Sequence, residues 1–287
     1  MHTGPDYWKN YMERFFGKAL IDDWQKSCRE ITIQSNGEQL HLETYHAGED
    51  KPTLVFSHGI AGYARILLPL ILPLFHRNIN IICPDLKGYG YNNHSKGDFS
   101  WDEHVTNLID CARYARAKYS GTLFLGGASM GGPLAYEAAV RFRKIDGLVC
   151  WCMWDMSARE FIENETSLGR KTWLLLPFMK LAERLFGKLP LRTNSLISYD
   201  TLSGSPEFNS MLLDDPQAGT AISLRAAISL ITKSKPTLSY ENFMRPILVF
   251  QPGADRMTPS KYTYETYLRV GNPDKRYIEL DGCEHFP

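Results

Sequence analysis

Gly127-Ala128-Ser129-Met130-Gly131 is the place in this chain where a side chain is best set to act as a nucleophile. It follows an apolar run at 122–126 and precedes a helical pattern that begins near Met130, which places the serine at a strand-to-helix turn. A Gly-x-Ser-x-Gly string arises readily by chance, so its position between strand and helix gives it weight. Glycines on both flanks permit a turn too sharp for side chains, and such a turn holds the serine in a strained conformation. The helix that follows aims its free N–H groups and positive dipole end at the point where an oxyanion forms. Met130 N–H is the first expected donor. The second is expected from His58-Gly59-Ile60-Ala61-Gly62, the loop after a strand at Thr53–Ser57, with Ile60 ahead of Ala61.

A serine needs a base to take its proton and an acid to orient that base. Of eight histidines, His285 fits best, because it follows the last apolar strand pattern and falls on the carboxyl edge of the sheet that carries Ser129. His58 shares that edge but reads as shaping the glycine loop, and His94 and His104 read as polar loop and helix positions. For the acid, Asp255 lies just past a strand at 247–251, and the order Ser, Asp, His matches this kind of turn. Asp155, after the strand ending at Trp151, is the rival, and Asp281 reads as a turn residue. Six cysteines show no paired metal-ligand spacing, and there is no phosphate-loop, dinucleotide or His-Glu-x-x-His pattern. No metal and no cofactor is expected.

The elements that must position these residues are legible as periodicity. Patterns at 30–35 and 39–46 alternate about Asn36-Gly37, a hairpin signal. Runs at 53–57, 79–83, 122–126, 147–151 and 247–251 are apolar without strict alternation, as for parallel strands covered on both faces, and 276–280 supplies one more strand near the end. Helical patterns at 63–76, 101–119, 130–143 and 259–269 lie between them. The expected fold class is α/β with a mostly parallel sheet: a core at 29–152 and 241–287, and a helical cap inserted at 153–240. Residues 1–28 form an amphipathic helix whose aromatic stripe (Trp8, Tyr11, Phe15, Trp24) docks on the body or else meets a membrane surface or a second copy.

Bulk composition narrows the partners. The 287 residues carry 32 basic and 32 acidic side chains, so no basic field exists to hold a nucleic-acid backbone. No charged-then-apolar leader is visible at the start, which makes a cytoplasmic protein the expectation. The apolar stretch 66–75 is about half of a membrane span and contains Pro69 and Pro73, so it reads as buried rather than transmembrane.

Taken together, Phe56-Ser57-His58-Gly59, Pro84-Asp85-Leu86-Lys87-Gly88-Tyr89-Gly90, the Ser129 pentapeptide, Asp255-Arg256-Met257-Thr258-Pro259 and Cys283-Glu284-His285 occur in the order of an α/β-hydrolase. From about residue 30 onward the chain resembles the branch containing monoacylglycerol lipases, lysophospholipases and related esterases. That resemblance implies a triad of Ser129, Asp255 and His285, with Ile60 and Met130 forming the oxyanion hole. Members of the branch commonly have His where this chain has Ala128, and a closing helix beyond the point where this sequence stops at Pro287.

The expected function is hydrolysis of carboxylic esters with an apolar acyl chain, because the cap holds an apolar run at 172–179 together with Leu181, Leu185 and Phe186. His58, Gly59, Trp154, Trp173 and Phe178 are the expected substrate-binding residues. An N-acyl-homoserine lactone is a second candidate substrate. A peptide amine is a third, with Glu160, Glu163 and Glu165 as possible anchors, although their spacing suggests a solvated face. Readings of other classes are a hydrolase fold that binds a ligand without catalysis and a scaffold acting through the aromatic N-terminus.

Overall fold

The computed structural model describes residues 1–92, 96–195 and 199–286. His94 and Pro287 lie outside the described residues. An eight-stranded sheet runs in the order β1-β2-β4-β3-β5-β6-β9-β10. Its strands are β1 (Cys28–Ser35), β2 (Glu38–Tyr45), β3 (Thr53–Ser57), β4 (Asn80–Pro84), β5 (Leu123–Ala128), β6 (Gly147–Trp151), β9 (Ile247–Pro252) and β10 (Lys275–Leu280). β1 and β2 pair antiparallel through a turn in which Asn36 and Gly37 have φ of 52° and 77°, the left-handed values a tight hairpin demands. β2 also pairs antiparallel with β4, and the strands from β4 to β10 are mutually parallel. The mostly parallel α/β sheet expected from the apolar runs is therefore present, and its carboxyl ends share one edge.

Both faces are covered. On one, Val55, Ile82 and Leu125 pack with α4 (Trp101–Lys118) and α5 (Gly131–Phe142). On the other, Leu54, Phe56 and Ile81 pack with α1 (Trp8–Phe16), α3 (Leu68–Phe75) and Tyr262 of α10 (Ser260–Arg269). Cys150 belongs to the first layer and Cys152 to the second, although residues two apart on a strand share a face, because Cys152 lies just past the end of β6 with φ of 62°. Pro69 sits in the first turn of α3, where a missing N–H costs nothing. Among the described residues no helix is long and apolar enough to cross a membrane.

The N-terminal aromatic stripe docks on the body. Gly17 breaks the expected single helix into α1 and α2 (Lys18–Ser27), and Trp8, Tyr11 and Met12 are fully buried. The anchor is Arg65, whose guanidinium lies 4.6 Å from the Trp24 ring, 5.2 Å from Trp8 and 3.9 Å from Tyr91. Its Nε donates to the buried Glu43 at 2.7 Å, and Trp24 Nε1 donates to the same carboxylate at 3.2 Å. A buried charge pair held by this many donors is costly to break from one side. The stripe is thereby covered within one chain, which corrects the alternative of a membrane-surface or dimer contact.

Between β6 and β9 lie α6 (Arg159–Glu165), α7 (Lys171–Phe186), β7 (Pro190–Arg192), α8 (Pro206–Leu213), β8 (Ala221–Ser223) and α9 (Leu224–Lys233). The apolar run on α7 is largely turned to solvent: Leu174 is 72% exposed, Phe178 67% and Leu185 80%. Apolar composition alone does not fix the direction a helix faces, since much of any protein surface is apolar.

His41 on β2 joins the two carboxylates that flank it, with Nδ1 2.9 Å from Asp85 and Nε2 3.2 Å from Glu30. Burial by itself depresses its pKa, but the hydrogen bonds to Asp85 and Glu30 outweigh it and raise the value to about 9. A group whose pKa is raised on folding stabilises fully below its unfolded value and ceases to do so as pH rises through the folded one. His41→Gln should therefore lower Tm by several degrees at pH 6 and by far less at pH 10, as read by differential scanning fluorimetry. Equal losses at the two pH values would contradict this account.

Candidate active site

Ser129 follows β5 directly and has φ of 55°, a left-handed conformation that non-glycine residues rarely adopt. Two backbone bonds hold it there: Ser129 N–H donates to Trp151 O at 2.8 Å, and Gly132 N–H donates to Ser129 O at 2.8 Å. The flanking glycines touch one another. A Cβ on Gly127 would lie 2.5 Å from the Gly131 carbonyl carbon, and one on Gly131 would lie 2.6 Å from Ser57 Oγ. Gly59 of the neighbouring loop is as close to the serine itself, since a Cβ there would fall 2.8 Å from Ser129 Cβ. The turn is possible only because the end of β5, the loop after β3 and the start of α5 approach without side chains.

Asp255 lies three residues past β9, and His285 five past β10, on the same carboxyl edge. His285 Nδ1 is 2.7 Å from Asp255 Oδ2, and both side chains are buried. The other carboxylate oxygen accepts from Met257 N–H at 2.8 Å and Thr258 N–H at 2.7 Å. Cys152 Sγ lies 3.6 Å from Oδ2. The imidazole backbone is pinned too: Trp151 Nε1 donates to His285 O at 3.2 Å, and Phe286 N–H donates to Leu202 O at 2.8 Å. Phe286 stacks on Phe208 with ring centres 5.1 Å apart.

The loop at 58–62 is lashed from three directions. His58 is fully buried, with Nδ1 2.7 Å from Gly59 O, while Nε2 accepts from Leu86 N–H at 3.0 Å. Burial lowers its pKa, in keeping with a neutral ring that donates on one side and accepts on the other. Gly219 N–H donates to Ala61 O at 3.0 Å. Just beyond, Tyr63 and Tyr11 hydroxyls both donate to Asp215 Oδ2, at 2.6 and 2.8 Å, so the loop, α1 and the inserted segment meet on one buried carboxylate. Among the described residues no acceptor takes the N–H of Ile60 or of Met130.

Two cavities meet at the serine. The first, about 220 Å³, is lined by Ser129 and His285 with Leu70, Leu202, Leu212 and Phe286. The second, about 150 Å³, is lined by Ser129 and Met130 with Trp154, Phe161, Leu230 and Ile231. Ile60 and Met257 border both.

Of the expected substrate-binding residues, Gly59 borders the first cavity and Trp154 the second. The other three are corrections. His58 is enclosed behind the loop it braces, and it lines neither cavity. Trp173 turns away to donate from Nε1 to Glu163 at 2.9 Å, and Phe178 lies on the exposed face of α7. Asp155 caps its own turn through Ser157 at 2.6 Å and meets Arg269 at 3.4 Å, while Asp281 lies in a turn. His104 lies on α4 and has a packing role. It is buried against Phe99 at 4.0 Å, and burial takes its pKa down to about 3. Of the three glutamates, Glu160 is exposed, while Glu163 is held by Arg159 at 2.6 Å and Glu165 by the Tyr262 hydroxyl at 2.9 Å.

Sequence reasoning missed Cys152, Asp215 and Tyr63. Their roles depend on strand order and on where the inserted segment folds back, neither of which a local pattern carries. Cys152, Asp255 and His285 bring ligand-type atoms within 4.8 Å of one another. Their chemistry fits proton handling better than a metal, because burial and then the Asp255 charge push the thiol pKa well up and keep the proton on sulfur. The thiol is a donor to the carboxylate. Because a Cβ on Gly131 would lie 2.6 Å from Ser57 Oγ, Gly131→Ala should cost about 1–3 kcal/mol through overpacking. Urea denaturation measures this, and an unchanged midpoint would contradict it.

Known proteins share this fold. The family model Hydrolase_4, described as serine aminopeptidase, S33, matches residues 48–286. A Schizosaccharomyces pombe protein named "Putative monoglyceride lipase" is 24% identical over 259 residues, which cover 86% of this chain and 65% of that protein, so the chain spans under two thirds of this relative. The monoacylglycerol lipase of Paleococcus ferrophilus superposes with a TM-score of 0.68 at 21% identity, over 86% of this chain and 90% of that one. A carboxyl esterase from Bacillus coagulans gives 0.70 at 16% identity, over 88% and 89%. At such identities these likenesses show the fold alone, and the family match does the rest: the chain belongs to the Hydrolase_4 family of α/β-hydrolases.

Proposed function

We propose that the protein is a serine hydrolase that cleaves carboxylic esters through an acyl-enzyme, with Ser129 as nucleophile, His285 as base and Asp255 as the acid that orients it. The observation that carries this reading is the buried 2.7 Å contact between His285 Nδ1 and Asp255 Oδ2, beside a cavity that His285 shares with Ser129. With Nδ1–H committed to Asp255, Nε2 is the nitrogen left to take a proton.

In this mechanism His285 Nε2 accepts the Ser129 hydroxyl proton as Oγ attacks the carbonyl carbon. The N–H groups of Ile60 and Met130 hold the oxyanion, and the Asp255 carboxylate offsets the charge on the ring. The imidazolium then gives its proton to the departing alkoxide, which leaves as the alcohol. Water, losing a proton to His285, attacks the acyl-enzyme and releases the acid, and that proton returns to Ser129. Pinning of the oxyanion loop by His58, Gly219 and Asp215 supports donors that are placed before the substrate arrives.

An apolar acyl group is favoured by the apolar walls of both cavities, and an N-acyl-homoserine lactone satisfies the same chemistry. An aminopeptidase would need a carboxylate free to hold the substrate amine. Glu165, the acid bordering the second cavity among the described residues, already takes the Tyr262 hydroxyl.

A fluorophosphonate probe should label the folded protein at Ser129, and Ser129→Ala should abolish labelling. Both Ser129→Ala and His285→Ala should lower turnover of p-nitrophenyl butyrate by about three or more orders of magnitude with an unchanged melting curve. Near-normal turnover in either folded variant would remove the assignment, and a well-folded wild type that neither labels nor turns over would favour a non-catalytic binding protein.

A further inference from the structure

The two cavities have different relations to the proposed base. His285 lines the first and not the second, whereas Met130, whose N–H is a proposed oxyanion donor, lines the second and not the first. In the tetrahedral intermediate the reacting carbon carries Ser129 Oγ, the oxyanion, the acyl chain and the leaving oxygen. The group that protonates the leaving oxygen must stand beside it. The leaving alcohol therefore extends into the first cavity and the acyl chain into the second.

From this division, which rests on the serine-hydrolase reading above, we infer that the substrate is an ester apolar on both sides of the scissile bond: an aliphatic acyl chain joined to an apolar alcohol, not to a polyol. The first cavity supplies the reason. Beside Ser129 and His285 its described lining offers Ala128, Ile66, Leu67, Leu70, Leu202 and Phe286, with no carboxylate, amide or ammonium group among the described residues. Of its remaining hydroxyls, Thr193 Oγ1 donates to Gly219 O at 2.8 Å, and the Tyr199 oxygen, which has no hydrogen-bond partner among the described residues, is sealed from the cavity by burial. A glyceryl leaving group would place two hydroxyls in this arm without partners, at a cost of roughly tenfold each in reactivity. An alkyl leaving group would instead gain about threefold to fourfold per methylene until the arm is full.

The chemistry balances with water alone. The acyl carbon to alkoxy oxygen bond breaks as the alkoxide takes the proton that left Ser129, and water supplies the hydroxyl of the acid and restores the serine proton.

The test is kcat/KM over a two-way panel: acetyl to octanoyl esters of one alcohol, and methyl, butyl, hexyl, octyl and glyceryl esters of octanoate. In the wild type kcat/KM should climb along both series, and hexyl octanoate should exceed glyceryl octanoate by at least tenfold. Leu230→Trp, which fills the second cavity, should flatten the dependence on acyl length and leave that on alcohol length. Leu70→Trp, filling the first, should do the reverse. If a tryptophan variant does not fold, Leu230→Ala and Leu70→Ala serve, each moving the preferred length upward on its own side only. Preference for the glyceryl ester, the opposite pairing of variant and series, or both series flattening together would overturn the inference. Fluorophosphonate labelling of Ser129 runs alongside. Labelling without turnover of any ester in the panel would overturn the substrate class while leaving the nucleophile, and absence of labelling would remove the reading on which it rests.

Discussion

Three backbone segments converge at Ser129, and they do so at distances that exclude side chains. The serine is held at φ of 55° by Trp151 O on one side and by the first turn of α5 on the other, while Gly59 closes over it from the end of β3. The register of the sheet delivers this meeting: Ser57 lies opposite Gly127, and Ala128 opposite Trp151. A left-handed serine is unfavourable in isolation, and it persists because the packing around it over-determines the turn. The same convergence puts the Met130 N–H at a helix start and the Ile60 N–H on the facing loop, so the strain and the proposed oxyanion site share one origin.

Around this point three buried carboxylates are well supplied with donors, while Ser57 Oγ, Trp154 Nε1, Thr172 Oγ1 and Tyr199 Oη are buried without a hydrogen-bond partner among the described residues. Asp255 has two backbone N–H donors on one oxygen, with the imidazole and a thiol on the other. Asp215 gathers two tyrosine hydroxyls, and Glu43 gathers Arg65, Trp24 and Tyr45. Each carboxylate ties together elements distant in sequence, and each is placed where losing one donor leaves a desolvated acceptor behind. The N-terminal helices are part of this frame rather than an appendage. Through Tyr11 and Arg65 they bear on the stretch that continues the glycine loop, and through Phe16 on Phe208 and Phe286, the neighbour of the proposed base.

What was legible in the sequence follows from the range over which each signal acts. Strands buried on both faces show as apolar runs, and a nucleophile turn shows as glycines at fixed offsets, so the sheet and the Ser129 turn could be placed from local pattern. His285 and Asp255 could be placed because parallel strands bring loop ends to a common edge. Cys152 could not, since its contact with Asp255 depends on β6 lying beside β9, a fact of strand order. Trp173 and Phe178 were misplaced for a related reason. Their hydrophobicity said that a face should be covered, but the direction α7 faces is set by its packing on α9, and the cavity walls come from Trp154, Leu230 and Leu70 instead. His58 illustrates the remaining limit: its type and edge position suit substrate contact, yet both ring nitrogens are spent on backbone.

The central claim is that one oxygen atom, Ser129 Oγ, carries the acyl group through the reaction. Rapid mixing with a p-nitrophenyl ester, followed by acid quench and peptide mass spectrometry, tests it most directly. The account predicts a burst of p-nitrophenol matching the enzyme concentration, with the acyl mass on the peptide containing Ser129. Turnover with no burst and no acyl mass at Ser129 under trapping conditions, or acyl mass on another residue, would contradict it.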